Sequence, residues 1–372
     1  MRIGFDAKRA YNNHRGLGNY SRDTLRILTS IFPENQYFLF TPGQDPNLVF
    51  PCPCNAKVIM PKHQGNLVQS LWRTYSISKE AKRLQLDIYH GLSHELPYGI
   101  EKTGIGTVVT MHDLMFLQHP EWYPLIDRTL YRKKYLRSCR VADRIIAVSQ
   151  QTKNDLVQQA GIEAAKIEVV YQGCQPIFKT QVTEEQKVTI REKYHLPKEF
   201  LLNVAAVEPR KNQLLILKAL VAGHLDIPLV IAGRKTSYLN DLQQFVDKYR
   251  LHKQVMILTD VPLTDLPSLY QSASVFVFPS RYEGFGIPIV EALESGLPVV
   301  AATGSCLEES GGPDSLYVSP DDENDLAEKL SIILNDNELR NNMIQQGRIY
   351  SQRFSDVAIA DHLTRIYKTI LP

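Results

Sequence analysis

Short apolar runs, each followed by a longer amphipathic stretch, recur along almost the whole chain, and this rhythm is what most limits its fold. Through the first half the runs are Ile3–Phe5, Tyr37–Phe40, Val58–Met60, Thr107–Thr110, Ile145–Val148 and Glu168–Val170. Helical spacing of apolar residues fills the gaps, as in Leu67–Leu84, Leu125–Ala142 and Thr152–Ala160. A strand that is apolar on both faces must be covered on both, and the intervening helices supply the cover. The pattern therefore implies α/β architecture, with parallel sheets flanked by helices. The rhythm restarts near residue 200, with strands expected at Phe200–Val204, Leu229–Ile231, Val255–Leu258, Val275–Phe278 and Val299–Ala301. Helices are expected at Asn212–Ala222, Leu239–Leu251, Asp265–Ser272 and Ile289–Ser295, and Glu323–Leu371 reads as consecutive helices.

These patterns divide the chain into two doubly wound, Rossmann-like domains at 1–172 and 198–350. A linker over 173–197 joins them and carries one short helix, opened by the capping pattern Thr183-x-x-Gln186. Residues 351–372 form a C-terminal helix that could pack back on the first domain. Ligands of such sheets lie at the carboxyl ends of the strands, so two of them facing each other would enclose a cleft.

Composition removes several functions. With 42 Lys and Arg against 40 Asp and Glu, the net charge of +2 is too small for a nucleic-acid binder that relies on a positive field. Residues 1–175 hold 22 basic against 15 acidic residues, and the remainder 20 against 25. The basic half either meets an anionic partner or is an ordinary solvated surface. Five scattered cysteines with no Cys-x-x-Cys argue against a zinc site or a disulfide framework and fit reduced thiols. The N-terminus lacks an apolar export segment, and no run of ~18 apolar residues occurs, so the expectation is a soluble, cytoplasmic protein.

Common motifs fail on inspection. Gly16-Leu17-Gly18 begins a dinucleotide fingerprint, but Ser21 takes the third position and the pair lies too far past the first strand. Ile105 stands where a P-loop after Gly99 needs lysine, and Gly91–Glu95 fails as a nucleophile elbow. No two aspartates are separated by a single residue. A chain without Asp-x-Asp that handles a diphosphate must neutralise it with Lys, Arg and helix N-termini, and no metal or other cofactor is expected.

The most informative segment is Val275–Leu293. A buried strand ends at Pro279, a turn with Gly284 and Gly286 follows, and a helix opens near Pro288. The glycines allow a ligand close to the backbone, and the helix start offers free N–H groups to an anion. Glu283 and Glu291 flank this turn, and a carboxylate can accept from two adjacent sugar hydroxyls at once. Glu291 could equally be a stabilising glutamate in a capped helix start.

Glu283 to Glu291 resembles the Glu-x7-Glu signature of retaining glycosyltransferases, in a setting similar to family 4 enzymes of the GT-B fold. Other stretches resemble the same family independently. Glu208-Pro209-Arg210-Lys211-Asn212 is similar to its diphosphate-binding segment and Met111-His112-Asp113 to its His-Asp motif. Gly16-Leu17-Gly18-Asn19-Tyr20 resembles its N-terminal glycine loop, and Ala147-Val148-Ser149 its strand-end serine. The set runs from residue 4 to about 320 in matching order.

The resemblance implies transfer of a hexose from a nucleoside-diphosphate sugar to a saccharide or lipid-linked saccharide, with retention, in surface-polysaccharide synthesis. Similarity to mannosyl-transferring enzymes favours GDP-mannose, with a UDP-hexose as the alternative. In this reading Arg210, Lys211 and the backbone of Gly284, Phe285, Gly286 and Ile287 hold the leaving diphosphate. Glu283 and His112 orient the sugar, Glu291 helps bind the donor through ribose or hexose hydroxyls, and the amides of Gly16 and Gly18 lie over the phosphates unless they form a plain loop. His90, Asp113 and Ser149 belong to the acceptor side, although Ser149 could simply cap a helix. Ala205, where many relatives carry glycine, could narrow the phosphate approach or alter which donor fits, and the glycine-poor Thr259–Pro262 leaves the nucleobase unread.

The basic segment Trp122–Arg140, studded with tyrosines, either rests on anionic lipid as part of a peripheral membrane enzyme or forms a solvated helix face. The rivals are an epimerase or phosphorylase of the same layout and a non-catalytic nucleotide-sugar-binding subunit.

Overall fold

The structure is a computed structural model that describes residues 1–63 and 65–371. It separates into two compact units, one formed by Met1–Gln172 with Ser355–Pro372 and the other by Gly173–Phe354. The first contains a seven-stranded parallel sheet: β1 (Arg2–Asp6), β2 (Gln36–Phe40), β3 (Ala56–Ile59), β4 (Ile88–Gly91), β5 (Gly106–Met111), β6 (Arg144–Ala147) and β7 (Ile167–Val169). Their spatial order is β3-β2-β1-β4-β5-β6-β7. The second has six parallel strands, β8 (Leu201–Val204), β9 (Leu229–Ala232), β10 (Val255–Leu258), β11 (Val275–Phe278), β12 (Val299–Ala302) and β13 (Leu316–Val318), ordered β10-β9-β8-β11-β12-β13. Together the two sheets confirm the doubly wound architecture expected from the alternation.

Strands such as β5, β9, β11 and β12 are buried at every position, because helices cover both faces. Each sheet has one place where the chain reverses its direction of winding, between β1 and β4 in the first unit and between β8 and β11 in the second. In sheets of this kind ligands bind beyond the carboxyl ends of the strands, at this reversal. The segments after β8 and β11 are the two that carry Arg210, Lys211 and Glu283.

Several boundaries differ from expectation. The stretch 173–197 belongs to the second unit: helix Glu184–Tyr194, started by the Thr183–Gln186 capping box, is tied to helix Leu266–Ser272 through Tyr194 and Asp265. Its polarity reflects an exposed helix face. Residues 351–354 also stay in the second unit, where Phe354 is buried against Phe285. The last helix, Asp356–Lys368, is part of the first unit and packs along helix Gly16–Ile31, with Arg26 bonded to Asp356 at 2.7 Å.

Helix Leu67–Leu84, expected to be continuous, contains a π turn at Trp72–Ser76 between Asn66–Leu71 and Ile77–Arg83. Arg73 lies in that turn and reaches inward to Asp6 at 2.6 Å and Glu95 at 3.0 Å. A buried double ion pair needs the guanidinium placed correctly for both carboxylates, and the wider turn provides that reach.

Candidate active site

In the second unit, Pro209–Lys211 forms one 3-10 turn after β8, and Asn212 then takes a left-handed conformation (φ 57°) before helix Gln213–Ala222. Asn212 holds that conformation by donating to the Pro279 and Pro320 carbonyls at 3.2 and 2.8 Å. The Arg210 carbonyl accepts from the Arg281 amide at 2.9 Å and from the Ser280 hydroxyl at 3.2 Å. The two loops at the winding reversal are thus sewn together through their backbones.

Their side chains meet on Glu283. Lys211 Nζ donates to Glu283 Oε1, Arg210 lies 3.0 Å from Oε2, and Ser280 Oγ donates to Oε1 at 2.6 Å. Lys211 and Glu283 side chains are each 13% exposed. Burial opposes ionisation of Glu283, yet Lys211 and Arg210 outweigh it and hold the carboxyl at about 2. Burial likewise lowers the Lys211 pKa while Glu283 pulls it back up. Glu208 pairs with Arg210 at 3.7 Å and with Arg234 at 3.3 Å. Three cations and two carboxylates leave this cluster one positive charge in excess, which suits it to an anion.

The turn after Glu283 requires a glycine for its conformation and its packing. Gly286 has φ 107°, and a Cβ there would sit 2.8 Å from Ser310 Oγ. Pro288 opens helix Ile287–Glu294 in its first turn. Gly284 and Ile287 are partly buried, whereas the Phe285 ring is buried against Phe354, so only its backbone is left for a ligand.

Glu291, one turn into that helix, differs from Glu283. Among the described residues it has no ion pair, and its Oε2 accepts from the Tyr270 hydroxyl at 2.9 Å. Burial raises its carboxyl to about 7, with the Tyr270 hydrogen bond acting the other way. Tyr270 is itself fully buried on helix Leu266–Ser272. Sequence reasoning missed this residue, because nothing local links it to a carboxylate 21 positions later.

In the first unit the residues expected at the site divide. His112 follows β5 and is 5% exposed. Its Nε2 lies 2.9 Å from the Leu92 carbonyl, which can only accept, so Nε2 carries the proton and Nδ1 is an acceptor. Burial lowers its pKa to about 3, helped by His94, so it remains neutral at physiological pH. His94 has φ 62°; its Nε2 accepts from the His112 amide at 3.1 Å, and its ring stacks on Tyr135 at 4.5 Å. Tyr20 covers His112 edge-on at 4.5 Å.

Two expectations for this unit need correction, and Ser149 takes the helix-cap alternative. His90 does not line an open site: it is fully buried, with Nδ1 2.7 Å from the Tyr367 hydroxyl and Nε2 2.8 Å from Thr110 Oγ1. Ser149 is fully buried as a helix cap, its Oγ accepting from the Thr152 amide at 3.0 Å. Gly16 and Gly18 are not a loop but the first turn of helix Gly16–Ile31, with Arg15 in the N-cap position. A Cβ at Gly18 would lie 1.8 Å from the Asn13 carbonyl, so that glycine answers to packing, while around Gly16 the space is open. Asp113 Oδ1 accepts from the Met115 amide at 3.0 Å at the start of a short helix.

Family models match both halves of the chain, glycosyl transferases group 1 over residues 186–350 and Glycosyltransferase Family 4 over residues 17–176. The chain is 30% identical over 274 residues to the O-antigen chain mannosyltransferase B of Escherichia coli, covering 72% of this chain and 70% of that one. It is 29% identical over 215 residues to the O-antigen chain mannosyltransferase RfbU of Salmonella typhimurium, covering 58% and 57%. The crystal structure of Anabaena Alr3699/HepE in complex with UDP-glucose has a TM-score of 0.75 at 18% identity, covering 99% of this chain and 100% of that one. WaaG, a glycosyltransferase involved in lipopolysaccharide biosynthesis, gives 0.71 at 17%, with 99% of each chain covered. These two likenesses carry the fold. The chain belongs to the glycosyltransferases of the GT-B fold that join a family 4 first half to a group 1 second half.

Proposed function

We propose that this glycosyltransferase moves a hexose, with mannose from GDP-mannose foremost, to a saccharide or lipid-linked saccharide of a surface polysaccharide. The O-antigen mannosyltransferases at about 30% identity support this choice of sugar and product. The observation that carries the reading is the cluster of Arg210, Lys211 and Glu283 at the winding reversal of the second unit. Pre-placed cations need no reorganisation when charge develops on a departing diphosphate, and their partial burial strengthens each interaction.

In this reading the donor's anomeric C–O bond breaks on the phosphate side. The acceptor oxygen attacks on the same face, and its proton passes to the departing phosphate oxygen. Configuration is retained without a covalent intermediate and without a metal, since Arg210 and Lys211 do the neutralising. Gly284, Gly286 and the start of helix Ile287–Glu294 support the phosphates, and Glu291 receives the ribose hydroxyls. His112, neutral and with Nδ1 as an acceptor, orients a hydroxyl of the sugar; with its pKa near 3 it is not a general base at neutral pH. The acceptor's setting is an anionic membrane surface.

A thermal-shift panel of GDP-, UDP-, ADP- and dTDP-sugars tests the donor, because a ligand of the folded state stabilises it by mass action. GDP-mannose is expected to give the largest shift; a larger one with UDP-glucose moves the assignment to a UDP-hexose, and none with any overturns it. Lys211→Ala is expected to lower kcat by about 10²–10³ with a smaller change in donor KM. NMR of the product's anomeric signal tests retention.

A further inference from the structure

In the first unit, Asp6 ends β1 and Glu95 lies just after β4, so both stand at the winding reversal of that sheet. Arg73 joins them from the π turn. Asp6 is well supplied, with Oδ2 accepting from Arg73 and Oδ1 from the Lys8 amide at 3.2 Å. Glu95 is not: its Oε2 meets Arg73 at 3.0 Å and Lys134 at 3.8 Å, but its Oε1 has no hydrogen bond among the described residues. Tyr89 of β4 is fully buried, and its hydroxyl also has no partner among the described residues. Asp6, Arg73 and Glu95 each act on that hydroxyl electrostatically, so it is directed at the charged cluster. A stranded hydroxyl works against folding, and phenylalanine would fill the same space without one.

A cavity of about 20 Å³ lies among Asp6, Arg73, Tyr89, Glu95, Tyr98 and Lys134, with room for one oxygen-sized group. Glu95 and Lys134 side chains are 27% and 36% exposed, so the cavity is reached from their side. Its charges balance. Two carboxylates face Arg73 and Lys134, and Arg137, also on its wall, is paired with Glu101 at 2.9 Å. An anion would meet the open Glu95 oxygen, and a cation would meet two positive groups. A neutral hydroxyl, donor and acceptor at once, satisfies Glu95 Oε1 and the Tyr89 hydroxyl together. Tyr98 is tilted 36° to Tyr75 at 5.4 Å, and Tyr75 is 56% exposed, which offers aromatic surface to the apolar face of a sugar ring.

We propose that this pocket is a saccharide subsite that receives the primary hydroxyl of a neutral hexose. That hydroxyl stands on a short exocyclic arm, so it reaches Tyr89 while the sugar ring stays at the mouth beside Lys134 and Tyr98. The segment that carries Glu95 also holds His112, through the Leu92 carbonyl at 2.9 Å and His94 Nε2 at 3.1 Å. The subsite therefore neighbours the imidazole assigned to the transferred sugar, where an acceptor belongs. The inference rests on the proposed function only for the hexose being part of the acceptor; its binding needs neither donor nor turnover.

The test is donor-free saturation-transfer NMR of the full chain with methyl α-D-mannopyranoside and with its 6-deoxy analogue. The parent is expected to bind the first about tenfold more tightly, as the loss of a hydroxyl's hydrogen bonds predicts, with the strongest saturation on the C6 protons. Tyr89→Phe removes that preference, and its Tm stays at or above the parent's because the stranded hydroxyl is gone. Lys134→Ala, a change at the partly exposed mouth, weakens both sugars alike and keeps the preference. Equal affinity for the two sugars, no binding of either, or a preference that survives Tyr89→Phe overturns the inference. So does a Tm several degrees lower in Tyr89→Phe, which would assign the hydroxyl to a trapped water that only supports the fold. Absence of transfer from every nucleotide sugar would count against the enzyme reading and leave the hexose result standing.

Discussion

Replacing Glu291 with glutamine should change how the protein's stability depends on pH, and the structure gives the size. Burial raises the folded-state carboxyl from 4.5 to about 7. Below pH 4.5 the carboxyl is protonated folded or unfolded, and its full contribution is present. Between pH 4.5 and 7 the unfolded chain releases the proton that the folded chain keeps, so stability falls as pH rises; above 7 both forms are ionised and the loss is complete. The shift corresponds to about 3 kcal/mol, which the partial exposure of Glu291 reduces to about 2 kcal/mol. Glu291→Gln keeps an acceptor for the Tyr270 hydroxyl but cannot ionise. Ligand-free parent and variant are to be melted at half-unit steps from pH 5 to 8. The difference in Tm should drift in favour of the variant by about 4–8 °C across that range for a unit of this size. The buried histidines, with pKa values pressed down to about 3, affect both proteins alike and cancel in the difference. Parallel Tm profiles would refute the claim that this carboxyl is held protonated by its surroundings.

Glu283→Ala leaves Arg210 and Lys211 partly buried without their shared carboxylate and should cost about 3–5 kcal/mol in urea denaturation of the ligand-free chain. Adding a nucleoside diphosphate should recover more stability in this variant than in the parent, since it supplies the missing negative charge. Tyr270→Phe removes one hydrogen bond to a carboxyl, so donor KM should rise about fivefold with kcat unchanged. The pH midpoint of donor binding should move upward, because the hydroxyl that favours the ionised form is gone; an unmoved midpoint would make Tyr270 a packing residue only. Gly18→Ala forces a Cβ into the Asn13 carbonyl and should lower Tm by several degrees, while Gly16→Ala, in open space, should not.

The parts of this fold that could be read in advance were those in which local pattern and burial coincide. Val275–Phe278 and Leu229–Ala232 are apolar throughout because they are covered on both faces. Leu316–Val318, three residues at a sheet edge, is too short to leave a period. Arg210, Lys211 and Glu283 stood out because each sits in a short segment after a buried strand, and the topology then brings those two segments together. His90 satisfied the same positional rule and was misread, since its cover is Tyr367, 277 residues further on. Position at a strand end is written locally; what seals that end is not.

The last helix has a practical consequence for anyone dividing this protein into pieces. The segment Gly173–Phe354 is continuous, whereas its companion is assembled from both extremities of the polypeptide. A fragment stopping at residue 172 would strip the Tyr367 hydroxyl from His90 and the Asp356 carboxylate from Arg26, exposing the flank of helix Gly16–Ile31. Clipping about fifteen residues from the C-terminus should therefore harm the half that is translated first, and a stand-alone version of that half calls for grafting 355–371 back on through a flexible spacer.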